Sequence, residues 1–330
     1  MRYLITGGAG FIGSHLADAI IGRGEQVVVL DDLSTGSEHN IDHLEDEPGF
    51  RLVRGSIMHE PTVTSLVQEC DVVVHLAAAV GVKLIVERPL ESLLTNLRGT
   101  EIVLEAASAR GRLVLITSTS EIYGKNASGA LREDADRILG SPFKARWSYS
   151  TSKAVDEILA RAYWHDRGVP TIVARLFNCV GPRQTGEFGM VLPRLVRQAL
   201  VGDDLTVFGD GKQRRCFCHV LDTVRGLVAL LDHPEATGDV FNVGAPHETS
   251  INDLALTIIE ATHSPSGIVH VPYDQAYEDG FEDMERRVPD ISKIRSLTGW
   301  EPAIGLDRII ADVIASERSS IASEVRGPVS

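Results

Sequence analysis

Tyr149 and Lys153 stand four residues apart in the run Tyr149-Ser150-Thr151-Ser152-Lys153. On a helix that spacing puts both side chains on one face. A phenol ordinarily ionises near pH ~10 and is a poor base at neutrality. An ammonium group beside it favours the phenolate and lowers that value. A tyrosine so tuned can take the proton of a sugar hydroxyl while a hydride leaves the same carbon. Tyr-x-x-x-Lys is a common spacing, and an ordinary amphipathic helix shows it too. Its meaning therefore depends on the elements that position it.

Those elements begin at the N-terminus. Residues 2–6 read as a short buried strand, followed by Gly7-Gly8-Ala9-Gly10-Phe11-Ile12-Gly13 and a helix with Phe11, Ile12, Leu16, Ala19 and Ile20 at helical spacing. Strand, glycine loop and helix in that order are the setting of a dinucleotide site. Glycine lets the backbone turn tightly beside a pyrophosphate, and the helix start supplies free N–H groups and a positive dipole end. The glycines fit both Gly8-x-Gly10-x-x-Gly13 and Gly7-x-x-Gly10-x-x-Gly13, and spacing alone does not choose between them. A second strand over 26–30 ends at Asp31-Asp32. A carboxylate about 20 residues past such glycines accepts ribose hydroxyls. It also repels a 2′-phosphate, so the expected cofactor is NAD rather than NADP.

The alternation of strand and helix continues. Strands are expected at 51–55, 71–76, 113–116 and 171–176. The run Val72-Val73-Val74 is apolar without alternation, as a strand covered on both faces should be, and His75 within it reads as a core histidine. A helix over 90–109 carries Asn96 and Thr100, and the helix bearing Tyr149 and Lys153 ends near Gly168. Ligands of an open parallel sheet sit at the carboxyl ends of its strands. Thr119, Ser120 and Glu121 after the fifth strand fall there.

These elements predict an α/β fold, a doubly wound parallel sheet of Rossmann type with a smaller mixed C-terminal lobe. The expected division is a dinucleotide domain over 1–178, with 219–245 returning to it; a substrate lobe over 179–218 and 246–318; and a loose tail over 319–330. Beyond the sixth strand, helices are expected at 190–201 and 220–231, and 251–262, 268–271, 289–297 and 306–316 make a small mixed region. No internal repeat or low-complexity segment is present.

Composition narrows the partners. Against 46 acidic residues there are 32 basic ones, a net charge of −14, which argues against nucleic acid or an anionic membrane. It leaves room for an anionic small molecule in a local basic pocket, and Asp210-Gly211-Lys212-Gln213-Arg214-Arg215 is a basic turn in an acidic chain. Cys70, Cys179, Cys216 and Cys218 have neither disulfide-framework nor metal-ligand spacing and read as buried thiols, with no metal expected. No signal segment precedes the first strand, and no apolar run approaches the ~20 residues of a bilayer span, so a cytoplasmic location is expected.

Taken together, the glycine loop, Asp31, Thr119, and the Tyr149/Lys153 pair resemble the extended short-chain dehydrogenase/reductase family, in its nucleotide-sugar branch. The resemblance runs through nearly the whole chain. It implies a catalytic triad of Thr119, Tyr149 and Lys153. It implies NAD held by Gly7, Gly10, Phe11, Ile12, Gly13, Asp31, Asp32, Ser56, Ile57, Leu76, Ala77, Ala78, Asn96 and Thr117, together with Tyr149 and Lys153. The UDP end of a sugar nucleotide would meet Asn178, Arg183, Val191, Phe208 and Arg215, and Arg287 in Arg287-Val288-Pro289-Asp290 would grip the diphosphate. Arg175 or Arg183 would face the sugar or its carboxylate. Relatives commonly pair as homodimers through two helices from each copy, here those at 90–109 and 148–168.

The triplet Thr119-Ser120-Glu121 separates the branch's reactions. It is similar to the Ser-Thr-Ser-Glu-x-Tyr-Gly run of UDP-glucuronate decarboxylases, and Arg146-Trp147-Ser148-Tyr149 matches that group as well. The implied function is NAD-dependent decarboxylation of UDP-glucuronate through a 4-keto intermediate, to UDP-xylose or UDP-4-keto-xylose. Two features depart from that group. Residues 75–83 look more like an epimerase segment, and Ser56 stands where many relatives carry an aspartate. A UDP-sugar 4-epimerase is the alternative. A non-catalytic nucleotide sensor would usually lack Tyr149 or Lys153, and both are present.

Overall fold

The computed structural model describes residues 1–79, 88–144, 147–186, 190–276, 284 and 286–326. Its first half alternates strand and helix: β1 (Arg2–Thr6), α1 (Phe11–Ile21), β2 (Gln26–Asp31), β3 (Phe50–Arg54), α2 (Glu60–Glu69), β4 (Val72–His75), α3 (Pro89–Ser108), β5 (Leu113–Thr119), α4 (Ser148–Arg167) and β6 (Thr171–Leu176). The second half holds β7 (Cys179–Val180), α5 (Val191–Val201), β8 (Leu205–Phe208), β9 (Arg214–Cys216), β10 (Cys218–His219), α6 (Val220–Leu231), β11 (Val240–Val243), β12 (Glu248–Ser250), α7 (Ile251–Thr262), β13 (Ile268–Val271), α8 (Tyr273–Ala276), β14 (Arg286–Arg287), α9 (Ser292–Thr298) and α10 (Leu306–Arg326).

Seven strands form one parallel sheet in the order β11-β6-β5-β4-β1-β2-β3. Every residue of β4 is buried, because helices cover both faces of the sheet. On one face Ile5, Val29, Leu115 and Phe241 pack against α1 and α6; on the other Leu4, Val28, Val73 and Ile116 pack against α2 and α3. Strand order reverses between β1 and β4, which leaves a crevice above their carboxyl ends. The long helix α4 stops at Gly168, whose φ of +67° is the left-handed conformation that a C-terminal glycine adopts without cost.

A second core, built from Leu192, Leu195, Leu254, Ile258, Ile309 and Val313, joins α5, α7 and α10 into the smaller lobe. Small sheets β12-β9-β14, β13-β8 and β10-β7 edge it. Ser250 caps α7, its hydroxyl accepting the Asp253 N–H at 3.0 Å. The chain is extended up to Pro289, which is bridged to Leu131, and turns helical at Ser292. One expectation differs here. The tail expected to be loose from Ser319 is helical to Arg326, since Arg197 on α5 pairs with Glu317 and, at 2.5 Å, with Glu324 and so holds α10 from its polar side.

Candidate active site

The glycine loop follows from close packing. Gly7 has φ +72°, and a Cβ there would lie 2.8 Å from the Ala77 nitrogen. At Gly13 a Cβ would lie 2.3 Å from the Gly7 carbonyl oxygen, so α1 can start directly under the loop only with glycine at that position. Gly7, Gly10 and Gly13 face the cleft, which resolves the register that spacing left open. Gly10 precedes α1 with no side-chain cap, so the first-turn N–H groups of Phe11, Ile12 and Gly13 have no intrahelical acceptor and point into the crevice. Asp31 ends β2 and is buried. It accepts the N–H groups of Ala9 and Leu33, each at 2.9 Å. Burial pushes its carboxyl up, and the two N–H groups draw it back down.

One cleft of about 1690 Å³ runs along the strand ends and across to the smaller lobe. Asp32, Ser56, Ile57, Leu76, Ala77, Ala78 and Thr117 line its sheet side; Asn178, Arg183, Val191, Phe208, Arg215 and Arg287 line its far side. Thr119, Ser120, Glu121, Tyr149 and Lys153 lie in the same wall. Asn96 does not line it. That side chain is buried, accepting the Ala79 N–H at 2.8 Å and donating to Ser152 Oγ at 3.3 Å, which ties α3 to α4 beneath the cleft.

At the end of β5 the chain turns sharply. Thr119 Oγ1 accepts the Glu121 N–H at 3.2 Å, and Ser150 Oγ on α4 donates to the Glu121 carbonyl at 2.8 Å. The catalytic helix and the Thr-Ser-Glu triplet are thereby locked together. Arg287, nearly buried on β14, reaches over from the smaller lobe. Its Nη1 lies 3.4 Å from Ser120 Oγ and 3.6 Å from Glu121 Oε1. It was expected to grip a diphosphate; it lines the cleft and makes these contacts at the triplet.

Of the two arginines expected at the sugar, one lies away from the cleft and one lines it. Arg175 does not reach the cleft. Its guanidinium forms a two-pronged pair with Glu157 at 2.7 and 2.9 Å and donates to Tyr123 Oη at 2.8 Å, all below the strand ends. Arg183 stays at the cleft edge, paired with Asp18 of α1 at 2.9 Å, and so spans the two lobes. Lys212 is exposed beside Asp210, whereas Arg215 is buried on β9. Asn178 donates to the Cys216 carbonyl at 2.7 Å and fixes the crossing from β6 into the smaller lobe. Arg194, a residue the sequence did not single out, stacks over Phe208 at 4.1 Å; no motif marks it, and only the pairing of α5 with β8 brings it there.

The Tyr149/Lys153 pair holds a further surprise. Lys153 Nζ donates to Asp156 Oδ2 at 3.2 Å, and both side chains are buried. Enclosure, followed by the charges of Glu121 and Asp156, keeps the Tyr149 phenol above the ordinary tyrosine range. Each of these influences raises the phenol, and the lysine ammonium sits against Asp156. Behind this pair lies His75, its Nδ1 2.7 Å from Thr6 Oγ1 and its Nε2 3.2 Å from Thr100 Oγ1. Burial, and then the Lys153 charge, push its imidazole down to about 3, so it is a neutral, satisfied core residue.

The pieces fit a dinucleotide. The glycine cradle would be filled by any Cβ, the α1 N–H groups face it, and a carboxylate stands at the end of β2 for the ribose. With Thr119 and Tyr149 in the same wall and arginines on the facing lobe, the arrangement suits dinucleotide-dependent chemistry at a hydroxyl of an anionic substrate. Among the described residues no group of three metal-ligating side chains forms, and no helix is long and apolar enough to cross a membrane.

Comparison with known proteins agrees with that class. Residues 4–313 match the family model described as GDP-mannose 4,6 dehydratase. The UDP-N-acetyl-alpha-D-glucosaminuronate decarboxylase of Bacillus cytotoxicus is 40% identical over 95% of this chain and 96% of that protein. UDP-glucuronic acid decarboxylase 1 of Arabidopsis thaliana is 36% identical over 99% of this chain and 72% of its own length. The crystal structure of UDP-glucuronic acid 4-epimerase from Bacillus cereus, in complex with UDP-glucuronic acid and NAD, superposes with a TM-score of 0.87 at 30% identity, covering 97% of this chain and 100% of that one. The chain belongs to the NAD-dependent epimerase/dehydratase family, the extended short-chain dehydrogenases/reductases. It is an enzyme of that family, whose members modify sugar nucleotides with NAD.

Proposed function

We propose that this enzyme decarboxylates a UDP-hexuronic acid, UDP-glucuronate in the first instance, through a 4-keto sugar. The observation that carries this reading is Arg287 beside Ser120 and Glu121. A cation next to a hydroxyl and a carboxylate is what a sugar's own carboxylate needs: a partner for its charge and a group to manage the proton at the adjoining carbon. Arg suits a carboxylate because its planar fork donates two parallel bonds.

The glycine loop, the α1 N-terminus and Asp31 would hold NAD, which would supply a reversible hydride acceptor. Tyr149 removes the 4-hydroxyl proton, and Thr119 hydrogen-bonds the same oxygen. The resulting 4-ketone lies β to the carboxylate. Carbon dioxide then departs, with the electrons of the broken C5–C6 bond delocalised into an enolate whose oxygen Tyr149 and Thr119 stabilise. Ser120 and Arg287 orient the carboxylate, and Glu121 manages the proton returned to C5. Asn178, Val191, Phe208 and Arg215 hold the UDP end, and Arg183 closes the lobe junction. Return of the hydride gives UDP-xylose, and escape of the keto sugar gives UDP-4-keto-xylose.

The relative of 40% identity acts, by its name, on a 2-acetamido hexuronate, so both UDP-glucuronate and UDP-N-acetylglucosaminuronate belong in the test. A second reading, 4-epimerisation of a UDP-sugar, is favoured by the close superposition on an epimerase bound to UDP-glucuronic acid. Incubating the purified protein with each hexuronate and NAD, then measuring carbon dioxide and resolving products by NMR, separates them. A pentose nucleotide with gas release supports the lyase; UDP-galacturonate without gas replaces it with the isomerase.

A further inference from the structure

We propose that Asp156 is a positioning residue for the reaction: it anchors the Lys153 ammonium and offsets its charge, so that three groups rather than two govern proton removal by Tyr149. This rests on Tyr149 acting as the base, as in the reading above.

Asp156 lies one turn beyond Lys153 on the same face of α4, fully buried, with Oδ2 3.2 Å from Lys153 Nζ. The groups that act on it are few. From α4 come Lys153 and Glu157, and from α3 the Thr100 hydroxyl. His75 of β4 stands behind Thr100, neutral, within reach of the Lys153 charge. Facing Tyr149 are Glu121 from the turn after β5 and Asp156 itself. Arg175 pairs with Glu157 and Arg287 stands 3.6 Å from Glu121, whereas Lys153 is the cation that Asp156 engages directly.

Stability does not account for the carboxylate. A buried ion pair is often no more stable than well-packed apolar residues of the same volume. Here an apolar side chain at the position of Asp156 would leave the Lys153 charge free to act on Tyr149, which is the arrangement the Tyr-x-x-x-Lys spacing suggests on its own. With Asp156 present, its negative charge opposes that of Lys153 at the phenol. The anchor also fixes where the ammonium sits. Nearby, His75 bridges Thr100 of α3 and Thr6 at the end of β1, the strand that carries the glycine loop.

The test is a comparison of Asp156→Asn with the unaltered full-length enzyme. Asn keeps the shape and removes one negative charge near Tyr149. The acid limb of the kcat profile, measured on whichever UDP-sugar the enzyme turns over, should move about one pH unit lower, a tenfold change in proton affinity. Tyrosinate absorbance, with Tyr149→Phe subtracted to isolate the one phenol and nucleotide occupancy held equal, should rise about one pH unit earlier in Asp156→Asn. An unchanged or upward-shifted limb with coincident tyrosinate titrations would overturn the proposal. If Asp156→Asn fails to fold, the difference between the unaltered protein and Tyr149→Phe decides. Tyr149 ionising at or above the ordinary ~10 supports an offset lysine, and ionisation two or more units lower in the nucleotide-free chain sinks it. The absorbance measurement needs no turnover, so its failure is distinct from a wrong choice of substrate.

Discussion

Glu121 and Arg287 carry the residue-level claim that separates decarboxylation from plain oxidation and reduction at C4. Glu121→Gln keeps the turn, because Thr119 caps it through the Glu121 backbone N–H rather than its side chain. Carbon dioxide release should then fall by about 10²–10⁴, the usual worth of a positioned proton-transfer group, with UDP-sugar affinity within a few-fold of the unaltered enzyme. Full retention of gas release would remove Glu121 from the mechanism. Arg287→Lys tests the carboxylate contact. A point charge cannot reproduce the planar fork, so KM for UDP-glucuronate should rise more than tenfold while affinity for UDP alone, read by calorimetry, stays nearly unchanged. Equal losses for both would return Arg287 to the diphosphate.

At the scale of elements, the site depends on segments that meet only through buried polar ties. Asn242 on β11 is one. It accepts from Tyr123 Oη at 2.7 Å and donates to the carbonyls of Leu131 and Asp290 at 2.8 and 3.2 Å. Leu131 in turn accepts the Asp290 N–H and donates to the Val288 carbonyl, which brackets Arg287. Asn242→Ala leaves three buried groups short of a partner. It should cost about 1–3 kcal/mol in urea unfolding and raise KM through displacement of Arg287. The glycine loop is a stricter constraint. Gly13→Ala drives a methyl group into the Gly7 carbonyl, so nucleotide binding, followed by quenching of protein fluorescence, should weaken at least tenfold in a protein that still folds. His75 gives a pH signature. Its folded value near 3 lies below the unfolded ~6.5, so the unfolded chain binds the proton first. Its contribution to stability is full above pH ~6.5 and is lost as pH falls from there toward 3, at up to about 1.4 kcal/mol per unit. His75→Gln should flatten that slope in denaturation midpoints taken across the same range.

At the scale of the whole molecule, two adjoining helices leave apolar side chains exposed among the described residues. Leu94 on α3 and Ile158 on α4 are 51% and 63% exposed on two helices that pack side by side. Exposed apolar side chains grouped on adjoining helices mark an interaction surface. A second copy of the chain, contributing the same two helices, would bury them as a closed two-fold interface. Sedimentation should give a dimer for the natural chain and a monomer for Leu94→Glu combined with Ile158→Glu, with NAD binding retained in the monomer. A natural chain that sediments as a monomer at micromolar concentration would end that expectation.

The order of strands, the glycine loop, Asp31, the triplet and the Tyr149/Lys153 spacing were legible in the amino-acid sequence because each depends on residues a few positions apart, whose geometry a strand end, a turn or one helical face dictates. Even the choice among glycines needed only one long-range fact, the approach of Ala77 to Gly7. The arginines were not legible. Arg175, Arg183 and Arg287 look alike in sequence, and only the crossing of the lobes sends the first to Glu157, the second to Asp18 and the third to Ser120 and Glu121. Asp156 was visible on the lysine's helical face, but its effect was not, because burial gives that charge its strength and burial is decided by α3 and β4 from far along the chain. Local spacing determines which groups can meet along one element; tertiary packing decides which charges are desolvated and which partner each one finds.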